Sequence, residues 1–298
     1  MPRPKDISFE DEPEFIQFTA TIEEKELSVA TAKSYKASYR KLRKLLGKAI
    51  RDTAEDTACK AIQISEENVN SQQALINVCI LCRQLEPPMP IATFVEQRNT
   101  NKDDVIETMK QANSLRKLPS LEELDAFIEE LWQKKLYREY VLNYLIRHHY
   151  TRNLDLIFDV VDTKQETLRD NTKNYLWLNS KNLRVVYIRN SYKTAKTYGQ
   201  KSVDIRCEKF IKAVKVCFKQ MYCFPVTDDA TKIGYYINKW SMPDPRKDGE
   251  RLGEGNYLKI IVNHYRDDYK KIEEISRSRG TNKDVLLKSY NISYNLDT

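Results

Sequence analysis

Thiols and imidazoles are the side chains of this sequence that metal or nucleophilic chemistry would use first. The chain holds six cysteines and three histidines. Cys79 and Cys82 form one CxxC pair within an apolar run of helical character, and no second pair stands at zinc-finger or zinc-ribbon spacing. We therefore expect buried, reduced thiols, no metal site and no cofactor. Glycine-rich phosphate loops and the HExxH and GxSxG motifs are also missing from the sequence.

The basic residues of the chain could also do chemistry, and they are clustered in the sequence. The 298 residues include 50 Lys and Arg against 43 Asp and Glu, a net charge of +7. Eight basic and no acidic residues lie within positions 30–51, and four basic and no acidic residues lie within 187–203. Clusters of this kind suit a phosphate backbone. The residues that we expect to contact double-stranded DNA are Lys33, Lys36, Arg40, Lys44, Lys196 and Lys201.

The first patch lies on a predicted helix with one apolar side, to which Tyr35, Tyr39 and Leu42 belong. Such a helix is either a solvated surface helix or one laid against DNA. The absence of acidic residues favours DNA.

The elements that position these residues are mainly helices, with one small antiparallel sheet (α+β). Helical periodicity dominates up to the prolines at 87–90 and again after Cys207. A polar stretch at 97–104 is expected to precede a short helix that ends near Ala112. The alternation typical of strands lies between residues 175 and 205, with Arg189–Lys201 as the turn of a long hairpin.

The chain divides into a helical domain at residues 1–112, a linker at 113–119 and a second domain at 120–298. The linker is indicated by its composition, and the second domain opens with a capping box, Ser120 to Glu123. No apolar run approaches the roughly 20 residues of a membrane span, and the first residues lack a secretory signal. We expect a soluble intracellular protein without a membrane partner.

The order of these features resembles the tyrosine recombinase, or phage-integrase-type, family. Ser28-x-x-Thr31 followed by Ser34-Tyr-x-x-Ser-Tyr39 is similar to the helix of the family's core-binding domain. Leu118-Pro-Ser-x-Glu-Glu-Leu124 is similar to the start of its catalytic domain. Thr151-Arg-Asn-Leu-Asp155 resembles the T-G-L-R-x-x-E segment, and Arg279-Gly-Thr281 resembles the L-G-H signature. The resemblance implies a core-binding domain and a catalytic domain.

The family's chemistry assigns a role to each matching residue. Arg152 would clamp the phosphate with Asp155 as its acidic companion, and Lys193 in the hairpin would protonate the 5′-hydroxyl leaving group. Tyr290, nine residues beyond Thr281, would attack the phosphate and form a 3′-phosphotyrosyl bond. No metal is needed. The resemblance also implies a homotetramer on DNA and an origin in a mobile or viral element.

The sequence departs from the family at three positions. Counting back 22 residues from Thr281 leads to Lys259, which replaces the second arginine, while Asn256 and Thr281 replace the two histidines. An alternative register uses His264 and Arg266 but shortens that gap. Lysine lacks the bidentate fork of arginine, and Asn and Thr are not acids or bases at neutral pH. The predicted catalytic residues are Tyr290, Arg152, Lys193, Lys259, Asn256 and Thr281.

Three functions remain open at this stage. The first is a site-specific recombinase or integrase, and it is our prediction. The second is a recombinase-fold DNA-binding protein that has lost strand cleavage, which the three replacements favour. The third is an unrelated helical nucleic-acid-binding or scaffold protein, in which Arg152 would only pair with Asp155 and Tyr290 would only pack on Leu286.

Overall fold

A computed structural model describes residues 9–290 except 10, 26, 28, 67, 115–117, 221 and 222. The chain forms two compact units, Met1–Met109 and Lys110–Thr298. Its helices make up 60% of the structure and accompany a small four-stranded sheet, which confirms the predicted mainly helical class. The linker at residues 113–119 stays a prediction, because 115–117 lie outside the described residues.

The first unit is helical throughout its described part. It comprises α1 (Pro13–Glu24), α2 (Val29–Leu46), α3 (Glu55–Ser65), α4 (Val69–Arg83) and the greater part of α5 (Ala92–Ser114). The apolar side of α2 is buried at Tyr39 and Leu42, and the Tyr39 hydroxyl donates a 3.0 Å hydrogen bond to Glu14 of α1. Burial of such aromatic and aliphatic groups is the main stabilisation of a helical unit.

Helix α5 corrects one expectation from the sequence. The polar stretch at 97–104 is not a break before a shorter helix, because the helix runs through it without interruption. Gln97 Nε2 donates to Asn101 Oδ1 one turn later, at 2.8 Å, and such i, i+4 pairs support a polar helix.

The second unit combines helices with the sheet. Its helices are α6 (Leu121–Gln133), α7 (Tyr137–His149), α8 (Ala195–Tyr198), α9 (Glu208–Lys219), α10 (Ile233–Trp240), α11 (Glu254–His264), α12 (Tyr269–Arg279) and α13 (Lys283–Tyr290). The predicted capping box begins α6: Glu123 N–H donates to Ser120 Oγ, and Ser120 N–H donates to the Glu123 carboxylate. One core joins helices and sheet through residues such as Leu124, Leu145, Tyr187, Phe210 and Ile261.

The sheet is mixed rather than purely antiparallel. Its strands lie in the order β1 (Phe158–Val161), β2 (Asn174–Asn179), β3 (Arg184–Arg189) and β4 (Lys201–Ile205). The last three form the predicted antiparallel ladder, and β1 adds a parallel edge with Val161 opposite Trp177. The strand β1 was not predicted, because a strand of four residues carries too few alternations to be distinguished.

Two left-handed residues end the helices that meet at the candidate site. Tyr150 ends α7 with φ of 53°, and Gly280 ends α12 with φ of 60°. Glycine adopts this conformation without the Cβ clash that a tyrosine bears. Each turn is followed at once by residues that the sequence analysis selected, Thr151 and Arg152 in one case and Thr281 in the other.

Candidate functional site

Arg152 is held by the turn that follows α12. Its Nη1 donates to the carbonyl of Arg279 and its Nη2 donates to Thr281 Oγ1, both at 2.6 Å. The side chain is half-buried and has no ion pair with any residue that the structure describes. A guanidinium has five N–H donors. The two bonds therefore fix its orientation and leave three donors for a ligand.

Tyr290 lies within electrostatic range of that guanidinium. Burial lowers the pKa of Arg152, and neighbouring Arg279 lowers it further, whereas Asp155, Glu254 and Tyr290 act in the opposite direction. Tyr290 is half-buried at the end of α13 and packs against the core. Its hydroxyl has no hydrogen-bond partner among the described residues. The structure thus brings Arg152, Thr281 and Tyr290 into one region.

A second arginine, Arg279, is buried close to Arg152. It is 4% exposed, and its Nη2 donates to Glu254 Oε1 at 2.6 Å. Its Nη1 donates to the carbonyls of Tyr150 at 3.1 Å and Thr151 at 3.4 Å. Arg279 thereby ties the residues before Arg152 to the start of α11, and Glu254 balances its charge. Glu254 was not predicted as a site residue, because its contact with Arg279 spans 25 residues and leaves no local sequence pattern.

Asp155 and Arg189 form a second buried ion pair, and Asp155 also contacts the backbone of Arg152. Asp155 is 1% exposed, and its Oδ2 accepts from the Arg152 backbone N–H at 3.2 Å and from Arg189 Nη1 at 3.3 Å. Arg189 Nη2 also approaches Ser278 Oγ at 3.4 Å. Asp155 is therefore not the ion-pair partner of the Arg152 side chain, as an ordinary helix-end arrangement would have it. Its cation is Arg189 at the end of β3, which the sequence analysis did not select.

The three lysines predicted for the segment Arg189–Lys201 lie in different environments. Lys193 is exposed and forms no hydrogen bond or ion pair with another described residue, whereas its neighbour Thr194 lies against Gly280. Lys201 is half-buried and lies close enough for Arg152 to influence its pKa, which burial lowers first. Of these two lysines, it is thus Lys201 that lies beside the arginines. Lys196 is exposed on α8.

Asn256 and Lys259 lie on α11, the helix whose first residue is Glu254 and which packs against α13. Both are half-buried. In the alternative register, His264 is 3.7 Å from Glu122 of α6, and Arg266 pairs with the adjacent Asp267 at 3.2 Å. Both residues of the alternative register thus lie next to acids, and the register that uses Asn256 and Lys259 stays a prediction. Tyr294, the second choice as nucleophile, lies outside the described residues.

His149 lies near the arginines but is not available as an acid. Burial lowers its pKa to about 3, with the neighbouring His148 and Arg189 as smaller causes. It is therefore neutral at physiological pH, whereas His148 is exposed. His149 Nε2 is buried without a hydrogen-bond partner among the described residues.

A groove of about 570 Å³ adjoins this region between β4 and α12. Four basic and two acidic side chains line it. Arg189 is neutralised by Asp155, and Arg277 pairs with Glu273 at 2.8 Å. Two of its four basic side chains are therefore paired with acids.

Some basic side chains of α2 form ion pairs with acidic residues of the first unit. Lys36 pairs with Glu23 at 3.4 Å, and Arg43 forms a bidentate pair with Glu12 at 3.0 Å. Lys33, Arg40 and Lys44 are exposed, with the Arg40 guanidinium 5.5 Å from the Phe15 ring. Of the predicted DNA-contacting residues on α2, Lys36 forms an ion pair within the unit, and three others are exposed.

The thiols give no sign of a reactive centre. All six cysteines are free, and burial raises the pKa of Cys59 to about 11 and those of Cys79 and Cys82 further still. Among the described residues, no group of three or more His, Cys, Asp or Glu could hold a metal ion. In the same part of the chain, no helix is long and apolar enough to span a membrane.

The Asp155–Arg189 pair gives a testable prediction. Arg189→Met leaves a buried carboxylate without its cation, so we expect the free energy of unfolding to fall by about 3–5 kcal/mol. Urea unfolding followed by tryptophan fluorescence measures this unit alone, because Trp132, Trp177 and Trp240 all lie in it. Arg277→Ala is the control, since its exposed pair with Glu273 is worth about 0.5 kcal/mol or less. Equal small losses in both variants would contradict a supporting role.

Comparison with known proteins leaves the chain without a family assignment. No protein-family model matches it, and no curated protein does. Among solved structures, it is similar to the crystal structure of XerA recombinase, with 11% sequence identity over 93% of each chain and a TM-score of 0.37. A likeness of this size does not establish a shared fold.

Proposed function

We propose that this protein cleaves and rejoins DNA strands through a tyrosine nucleophile, in the manner of a tyrosine recombinase. The observation that carries the proposal is the placement of Arg152. Its guanidinium is oriented by the Arg279 carbonyl and the Thr281 hydroxyl, keeps unused donors, and lies within electrostatic range of Tyr290. A fixed cation beside a phenol is the arrangement that attack on a phosphodiester requires.

The reaction follows from these groups. The Tyr290 oxygen attacks the phosphorus, its proton passes to solvent, and the bond from phosphorus to the 5′-oxygen breaks. Arg152 binds the non-bridging oxygens, on which charge accumulates in the transition state. A lysine of the β3–β4 connection, Lys193 by resemblance to the family, gives the proton to the leaving 5′-oxygen. The 3′-phosphotyrosyl bond conserves the ester, so the reverse attack by a 5′-hydroxyl rejoins a strand.

The alternative function is DNA binding without cleavage, and one observation favours it. Thr281 occupies the position of a family histidine and uses its hydroxyl to hold Arg152. The site then positions a phosphate but contains no acid or base at that position. Under either function the ligand is double-stranded DNA. A homotetramer on DNA and a role in a mobile or viral element belong to the proposal through the family resemblance alone.

The decisive experiment is covalent trapping on a nicked duplex, in which the cleaved fragment diffuses away and religation stops. The proposal expects an SDS-resistant protein–DNA adduct. Trypsin cleaves after Lys288, so the peptide Ser289–Thr298 contains both Tyr290 and Tyr294. Fragmentation by mass spectrometry must therefore place the nucleotide on Tyr290. No adduct on any duplex, with DNA binding intact, would establish the binding-only function.

The exposed basic residues of α2 give a prediction about binding. Replacing Lys33, Arg40 and Lys44 by Gln should weaken affinity for any duplex and reduce the slope of log K against log salt by roughly 2–3, at about 0.9 for each lost phosphate contact. Filter binding over a salt series measures both. Lys25, Lys60 and Lys102, exposed in the same unit, give a control triple variant with the same charge change. Equal slopes in the two triples would show that α2 is only solvated.

A further inference from the structure

Lys201 occupies a position that is unfavourable for a cation. It is the first residue of β4, and its register partner across the hairpin is Arg189. Like charges directly opposite one another destabilise an antiparallel pair. Burial lowers the pKa of Lys201, and the nearby Arg189 and Arg152 lower it further against the opposing effect of Asp155. A lysine in this environment needs strong contacts to remain there as an ammonium.

Those contacts lie at the end of α12. The Lys201 Nζ donates to the carbonyl of Arg277 at 2.6 Å and approaches that of Ser278 at 3.3 Å. Carbonyls in the last turn of a helix lack partners within the helix and form its negative end. The same Nζ lies 5.1 Å from the Tyr192 ring centroid and 5.2 Å from that of Tyr198. The ammonium therefore joins both ends of the β3–β4 connection to α12.

The connection also touches the turn that follows α12. Gly280 lies against Thr194 and Tyr198 so closely that a Cβ at this position would overlap the threonine hydroxyl. The carbonyl of Arg279 and the hydroxyl of Thr281, on either side of Gly280, are the two acceptors of the Arg152 guanidinium. Whatever fixes this turn also fixes Arg152.

We propose that Lys201 is a positioning residue that clamps the β3–β4 connection onto the C-terminal end of α12 and thereby holds the 279–281 turn against Arg152. This role differs from the direct phosphate contact expected from the sequence. The acceptors that Lys201 uses are main-chain carbonyls, so its effect reaches the phosphate through Arg152. The effect of Lys201 on catalysis rests on the proposed strand cleavage. The contacts that form the clamp do not depend on that proposal.

The clamp is tested without any activity by amide hydrogen exchange. In the turn, Gly280 N–H donates to the Arg277 carbonyl and Thr281 N–H donates to the Ser276 carbonyl. Lys201→Met should speed exchange of these two amides at least tenfold, and Lys201→Arg should restore most of the protection. Lys181→Met, in the exposed β2–β3 turn of the same sheet, is the control and should change neither amide. Unchanged exchange in Lys201→Met overturns the proposal.

Single-turnover cleavage separates positioning from phosphate binding. Lys201→Met should lower the rate of adduct formation at saturating DNA at least tenfold, with the DNA dissociation constant within about threefold of wild type. A loss of affinity and of salt slope without faster exchange overturns the proposal in favour of direct phosphate contact. If wild-type protein forms no adduct, the proposed function fails while hydrogen exchange still decides on the clamp.

Discussion

Tyr290→Phe should abolish covalent adduct formation and leave DNA affinity unchanged. The substitution removes one oxygen, and the ring keeps its packing against the core. The hydroxyl has no hydrogen bond to a described residue, so its removal leaves no described donor or acceptor without a partner. Loss of adduct must then come from loss of the nucleophile. The measurement is SDS-resistant adduct on the nicked duplex, with binding followed separately by filter retention.

Two further variants make this result specific. Tyr294→Phe changes the other tyrosine of the same tryptic peptide, and Tyr235→Phe changes a tyrosine that is 68% exposed on α10. We expect both to form adduct at the wild-type rate. Adduct in Tyr290→Phe together with its loss in Tyr294→Phe would move the nucleophile to Tyr294. Equal adduct in all three variants would contradict the assignment of Tyr290 as the nucleophile.

The helices were predictable where a local signal marks them. The capping box at Ser120 is a pattern of four residues, and the apolar side of α2 repeats within two turns, so both can be recognised without tertiary contacts. The strand β1 and the continuous α5 were missed for the opposite reason. A strand of four residues is stabilised by pairing with β2, and the polar part of α5 shows little apolar periodicity.

The candidate site was predictable in part. The link between Arg152 and Thr281 spans 129 residues and was anticipated only through the order and spacing of a family pattern. Arg189 and Glu254 were missed, because a charged residue at the end of a strand or helix looks solvated in the sequence. Their burial depends on contacts with Asp155 and Arg279 that only the fold creates. Lys193 is exposed and Lys201 is half-buried. The sequence does not distinguish them, since both lie in one polar segment.

Arg152→Ala should lower the rate of adduct formation by a factor of about 10²–10³ and lower the DNA affinity far less. The reason is that the guanidinium stabilises charge that develops only in the transition state. Arg152→Lys keeps the charge but not the fork that spans the Arg279 carbonyl and Thr281 Oγ1, so we expect it to recover only part of the rate. Single-turnover kinetics at saturating nicked DNA measure both. Arg169→Ala, an exposed arginine of the same unit, is the control for loss of charge.

Thr281→Val then tests whether orientation matters apart from charge. The variant retains Arg152 and the Arg279 carbonyl but removes the acceptor of Nη2, so the guanidinium gains freedom to rotate. We expect a rate loss of about tenfold in wild type and little further loss in the Arg152→Ala background, because the hydroxyl acts through Arg152. Additive losses would instead assign Thr281 its own contact with the phosphate. If Arg152→Ala formed adduct at the wild-type rate, Arg152 would only connect two turns of the structure. The site would then lack the cation that strand cleavage requires.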